Sequence, residues 1–120
     1  MQSLKSKLSN MRKVIRNGKV AVVYSPGWGS GFCTWNKSVK GIEELIYLPE
    51  LVDLIEQKKF NAQSFVDVIE KYSSIDPDDL LALDYELAIA WVPEGELFTI
   101  EEYDGAECIR VRDNFTWLQA

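Results

Sequence analysis

The chain has 120 residues, of which 47% are hydrophobic and 27% charged, and its formal net charge is −6. This length predicts one domain, and no apolar run approaches the roughly 20 residues that a membrane-spanning helix needs. Overall acidity disfavours broad nucleic-acid binding, because neutralising phosphates requires a positive contact face. The basic N-terminus lacks the apolar stretch of a secretory signal, so we expect a cytoplasmic protein without a membrane partner.

Residues 1–17 are predicted to form a basic amphipathic N-terminal helix, with the helical pattern itself over 3–16. Its apolar positions recur at spacings of four, three and four, and they are Leu4, Leu8, Met11 and Ile15. Ser3 can serve as the N-cap, and Asn17-Gly18 is interpreted as the signal that ends the helix.

Residues 19–48 are predicted to contain strands around a loop of glycines and aromatic residues. The β-branched run Lys19–Tyr24 indicates a buried strand, which Pro26-Gly27 ends. Further strand-like pieces are 32–35 and 43–47, separated by a turn at 36–41. The glycine loop is thus expected to join strands.

Residues 49–83 have a helical period. Pro49 suits the first turn of a helix that reaches Gln57, and Asn61 is a candidate cap for a second helix. Asp76-Pro77 has the pattern of a cap followed by the first residue of a short helical turn.

Residues 84–120 alternate between apolar and polar residues, with turn signals at 93–95, 104–105 and 113–114. They predict a meander of three or four antiparallel strands, the last at 115–118. The predicted class is therefore α+β. We expect an antiparallel sheet, formed by this meander and an N-terminal strand, to pack with two to three short helices in a single domain, 1–120.

The charge distribution is asymmetric. Residues 1–40 hold eight of the 13 basic side chains and none of the 19 acidic ones, so they carry +8 and the remainder −14. These charges can pair with each other, within one chain or between chains, or the basic part can bind an external anion. From this complementarity we expect a homo-oligomer.

The segment 25–35 combines three glycines with large aromatic residues. It is neither a dinucleotide-binding fingerprint, which needs a following helix, nor a P-loop, which needs Gly-Lys-Ser/Thr. One interpretation places phosphate on the loop amides and a nucleotide base on Trp28 or Trp35. The other makes Trp28, Phe32 and Trp35 core residues that the glycines allow to pack closely.

Arg110 and Arg112 share one face of a predicted strand. They either pair with a cross-strand acid such as Glu101 or form an anion clamp facing the glycine loop. The candidate ligand-binding residues are Gly27, Trp28, Gly29, Ser30, Gly31, Trp35, Arg110 and Arg112.

Histidine is absent, which removes the commonest general base and metal ligand. We therefore expect no catalytic residues, no metal site and no cofactor, although chemistry that uses only carboxylates stays open. Cys33 and Cys108 are expected to be reduced, buried thiols, with one long-range disulfide between them as the alternative.

Two stretches, SPGWGSGFCTWN at 25–36 and WVPEGELFTIEEYDG at 91–105, resemble a group of small accessory proteins of bacteriophages and prophages. The resemblance implies a counter-defence protein in the cytoplasm of a bacterial host. On it we base the leading hypothesis, a non-catalytic sponge for a phosphate-bearing nucleotide signal such as a cyclic nucleotide or a cyclic ADP-ribose derivative. The alternative is an inhibitor that blocks a host defence protein through its acidic surface.

Overall fold

The computed structural model describes residues 12–27, 31–80 and 86–112. Over these residues it confirms the α+β class, with three α-helices and five strands in antiparallel sheets. The strands are β1 (Ile15–Arg16), β2 (Lys19–Tyr24), β3 (Ala88–Pro93), β4 (Phe98–Tyr103) and β5 (Ala106–Val111). The helices are α1 (Ile42–Tyr47), α2 (Pro49–Glu56) and α3 (Ala62–Tyr72), with 3₁₀ turns at Thr34–Asn36 and Pro77–Asp79.

The first sheet has the order β1-β2-β3, with β2 in the centre. β1 and β2 form a hairpin whose two-residue loop is Asn17-Gly18, with positive φ angles of 52° and 74°. Positive φ at both positions is what a type I′ hairpin turn requires, and Asn-Gly is its preferred sequence. The helix prediction is therefore wrong at residues 12–16, while residues 1–11 lie outside the described part of the chain.

β2 is buried as predicted, with Ala21, Val22 and Val23 fully inaccessible. β3 pairs antiparallel along its whole length, and the three helices complete the core. Phe65 of α3 contacts Phe32 of the glycine loop edge to face, with ring centroids 5.9 Å apart. The loop after β2 is thereby tied into the same core as the helices.

Three helix-start predictions are confirmed. Pro49 occupies the first turn of α2, and Asn61 forms a reciprocal capping box with Ser64 at the start of α3. Asp76 accepts a hydrogen bond from the backbone nitrogen of Asp78 at 2.9 Å, which caps the second 3₁₀ turn.

Two strand predictions are wrong. Residues 43–47 belong to α1, because Ile42, Leu45 and Ile46 have helical spacing and bury one face against the core. Residues 34–36 form a 3₁₀ turn, so the glycine loop leads into a helical turn rather than a strand.

The predicted meander is also wrong in its pairing. β4 and β5 form a separate two-stranded ribbon around the Asp104-Gly105 turn, and β4 does not pair with β3. The reason lies in β5, where the backbone nitrogen of Glu107 donates to the carbonyl of Ser25 at 2.7 Å. This bond places the ribbon over the end of β2, away from the edge of β3. The predicted strand at 115–118 lies outside the described residues.

Within the described ranges, no helix has the length and apolar character needed to cross a bilayer.

Candidate functional site

A buried carboxylate organises the glycine loop. Glu107 is 3% exposed, and its Oε1 accepts a hydrogen bond from the backbone nitrogen of Ser25 at 2.9 Å. Its Oε2 accepts from the backbone nitrogen of Phe32 at 3.1 Å. The same oxygen accepts from the nitrogen of Thr34 at 2.8 Å and from its Oγ1 at 2.7 Å. Every partner is a donor, so the carboxylate joins both ends of the loop through charge-assisted hydrogen bonds.

Alternation along β5 explains why this glutamate points inward. Glu107, Ile109 and Val111 occupy one face of the strand, where the two apolar side chains pack against the core. Sequence reasoning missed Glu107 as a site residue. The available signal was its place on the apolar face of an alternating strand, where an acid needs several donors to be tolerated.

This arrangement bears on whether the loop amides can bind an anion. The amides of Ser25, Phe32 and Thr34, which flank the glycines, already hold an internal negative charge. A phosphate brought to them would meet the Glu107 carboxylate at short range. Of the predicted phosphate-binding residues, Gly27 and Gly31 are described, whereas Trp28, Gly29 and Ser30 lie outside the described residues.

Gly31 and Trp35 pack directly against each other. A Cβ placed on Gly31 would lie 2.5 Å from Cδ1 of Trp35, closer than real Cβ contacts come. Gly31 is buried and Trp35 is half-buried in the 3₁₀ turn. The contact supports the interpretation in which a glycine permits close packing of this aromatic ring.

The two predicted arginines lie on the other face of the ribbon. Arg110 and Arg112 are exposed, opposite to the face on which Glu107 meets the loop. Nε of Arg110 lies 3.1 Å from Oε1 of Glu101 on β4, which is the cross-strand pair that the sequence left as an alternative. The structure therefore does not bring these arginines together with the described residues of the glycine loop.

Two of the N-terminal cations pair within the chain. The Arg12 guanidinium contacts the carboxylate of Glu50 at 2.5 and 3.0 Å, and that of Arg16 contacts Glu56 at 2.6 and 2.7 Å. These bonds raise the pKa of both arginines and lower the pKa of Glu56. Part of the basic charge of the N-terminal region is thus neutralised by acidic side chains of the same molecule.

Both cysteines are free, and the expectation that both are buried is wrong for Cys108, which is exposed. Cys33 is half-buried beside the loop. Burial, together with the negative charges of Glu107 and Glu43, raises the pKa of the Cys33 thiol to about 11. Because the thiolate is the nucleophilic form, this thiol is poorly suited to nucleophilic chemistry near neutral pH. No cluster of acidic or cysteine side chains within the described ranges has the geometry to hold a metal ion.

An acidic surface with apolar side chains lies along β4. Residues 94–104 contain five acids and no basic residue. These are Glu94, Glu96, Glu101, Glu102 and Asp104. Leu97 and Tyr103 are 61% and 74% exposed in the same stretch. We call residues 94–104 the acidic ribbon edge.

Comparisons of the chain with protein-family models, with curated proteins and with solved structures found no match.

Proposed function

We propose that this protein is a non-catalytic binding protein that recognises a partner protein through the acidic ribbon edge. The observation that carries the proposal is that groups suited to binding an anion already contact acidic side chains of the same chain. The Glu107 carboxylate accepts hydrogen bonds from three amides that flank the glycines of the loop, and Glu101 forms an ion pair with Arg110. The other four acids of 94–104, by contrast, stand beside exposed apolar side chains, a combination that suits a basic protein surface.

The resemblance to phage accessory proteins makes a host defence protein, met in the bacterial cytoplasm, the partner class that this proposal expects. Sequestration of a nucleotide signal is the competing function. It would have to use a part of the loop other than the amides that Glu107 holds, together with Trp28, Gly29 or Ser30.

Assembly into a homo-oligomer is a separate part of the proposal. It rests on the basic N-terminus, and the Arg12–Glu50 and Arg16–Glu56 pairs reduce the charge left for a second copy. Light scattering in moderate salt tests it. A monomer at high micromolar concentration would contradict it.

Affinity capture with matched variants tests the proposed function. Immobilised protein is exposed to bacterial lysate beside a variant carrying Glu94→Lys, Glu96→Lys and Glu102→Lys. The control reverses three acids elsewhere and carries Asp67→Lys, Glu70→Lys and Asp78→Lys. We expect a protein that the wild type and the control retain and the ribbon variant loses.

The same samples test the competing function. Bound small molecules are released by heat and identified by mass spectrometry. A nucleotide recovered in stoichiometric amount from all three proteins, with no specific protein partner, would contradict the proposal.

A further inference from the structure

Among the described residues, β4 has a strand partner on only one of its two edges. Its ribbon with β5 turns at Asp104-Gly105, so the residues flanking this turn, Tyr103 and Ala106, form a hydrogen-bonded pair. Such pairs recur at every second residue, and the bond of 2.7 Å from the nitrogen of Arg112 to the oxygen of Leu97 continues the series.

The residues between these pairs direct their backbone groups away from β5. They are Phe98, Ile100 and Glu102. None of the backbone hydrogen bonds between described residues extends β4 on this side, and the ribbon contains two strands. Unpaired N–H and C=O groups in a row form a template for an additional strand.

A groove of about 560 Å³ lies beside this edge, between β4 and α1. Leu97, Phe98 and Ile100 line it from the ribbon. Ile42, Ile46 and Tyr47 line it from the helix. A strand added to β4 would send every second side chain toward these apolar walls, because successive side chains in a strand point to opposite faces.

Charge distinguishes between the possible occupants. Of the described residues that line the groove, Glu43 and Glu96 are acidic and Lys37 is the one cation. Pairing β4 with β4 of a second copy would bring Glu96 and Glu102 of both copies near one seam, and like charges facing each other are destabilising. A basic segment of a different protein would instead meet complementary charge.

We infer that an extended segment of a partner protein, with both apolar and basic side chains on the face that it turns toward the groove, adds to the free edge of β4 as a third strand. The inference rests on the proposed function and specifies how the partner is bound. Backbone hydrogen bonds would provide the pairing, and the groove would select the apolar side chains.

A defined peptide tests this geometry. The intact protein is titrated by calorimetry and by amide NMR with a short peptide in which valine and lysine take turns at the groove-facing positions and threonine occupies the positions between them. We expect saturable binding with shifts at Phe98, Ile100 and Glu102. N-methylation of the peptide amides that face β4 should abolish binding, because the methyl groups remove the donors and block the approach of the strand.

Charge reversal in the protein provides the matched comparison. Glu43→Lys combined with Glu96→Lys should lower the affinity for the peptide by about tenfold or more, since like charges across an interface are costly. The control pair Glu70→Lys with Asp78→Lys should leave affinity unchanged. Equal binding of the methylated peptide, or peptide-induced shifts confined to other elements, would overturn the inference.

The remaining outcomes separate this inference from the proposed function. Absence of peptide binding, with a lysate protein still captured through the acidic ribbon edge, would refute the β4 edge alone. Absence of both would refute the proposed function as well. Concentration-dependent shifts at β4 without peptide would show a second copy at this edge and would overturn the inference.

Discussion

Replacing Glu107 with glutamine tests how the glycine loop is held. Glutamine keeps the shape of glutamate but has one accepting oxygen and one donating NH₂ group. The glutamine oxygen would take the position of Oε2, which receives three hydrogen bonds. The glutamine NH₂ would then face the backbone N–H of Ser25. Two donors would then meet in a buried place, and the Ser25 amide would lose its partner.

The magnitude follows from these contacts. An unsatisfied buried donor costs about 1–3 kcal/mol. The three remaining hydrogen bonds weaken, because bonds to a charged acceptor are roughly twice as strong as bonds to a neutral one. The lower cost of burying an amide instead of a carboxylate offsets part of this loss. We expect Glu107→Gln to reduce the free energy of unfolding by about 1–3 kcal/mol, which a domain with about 0.05–0.15 kcal/mol per residue survives.

Urea denaturation followed by circular dichroism measures the loss, and Glu70→Gln on the exposed face of α3 is the control. Amide hydrogen exchange gives the local measurement, because Ser25, Phe32 and Thr34 should lose protection in Glu107→Gln and keep it in the control. A Glu107→Gln stability within about 0.5 kcal/mol of the control, with all three amides still protected, would refute the reasoning.

Three other predictions follow from single contacts. Gly31→Ala should destabilise the protein by about 1–3 kcal/mol through overpacking against Trp35, and adding Trp35→Leu should relieve part of that cost. A melting temperature of Gly31→Ala equal to that of the wild type would contradict the contact. Alkylation of Cys33, measured without the other cysteine, should be slow at pH 8 and accelerate toward pH 11, since its raised pKa keeps the thiol protonated; a plateau below pH 9 would refute this. The Arg16–Glu56 coupling, measured as melting temperatures in a double-mutant cycle with glutamine at both positions, should be present at neutral pH. It should disappear as the pH falls through the lowered pKa of Glu56, and coupling that persists in acid would contradict the pair.

Local signals predicted much of the fold because they report interactions between near neighbours in the chain. Pro49, Asn61 and Asp76 start helical segments through their own backbone geometry and side-chain bonds, and the structure has all three. Asn17-Gly18 was misinterpreted, because the same dipeptide that can follow a helix also makes the tightest hairpin turn. Its flanking strand, β1, has only two residues and no periodicity to recognise.

The site was less predictable because its parts are distant in sequence. Glu107 meets Ser25 across 82 positions and Thr34 across 73 positions, and nothing local to either segment indicates the other. The pairing of Arg110 with Glu101 was predictable as an alternative, since the Asp104-Gly105 turn sets the register of both strands. Among the described strands β4 pairs only with β5, and this pairing depends on where Glu107 contacts the loop, so it has the same long-range origin.

A parallel amide NMR titration tests the central claim most directly. The ¹⁵N-labelled protein is titrated with the same peptide, which presents valine and lysine to the groove, in one series and with a cyclic dinucleotide in the other. The account predicts saturable shifts along the outer edge of β4 with the peptide and no saturable shifts with the nucleotide. Saturable nucleotide shifts in the glycine loop, with no response of β4 to the peptide, would contradict it.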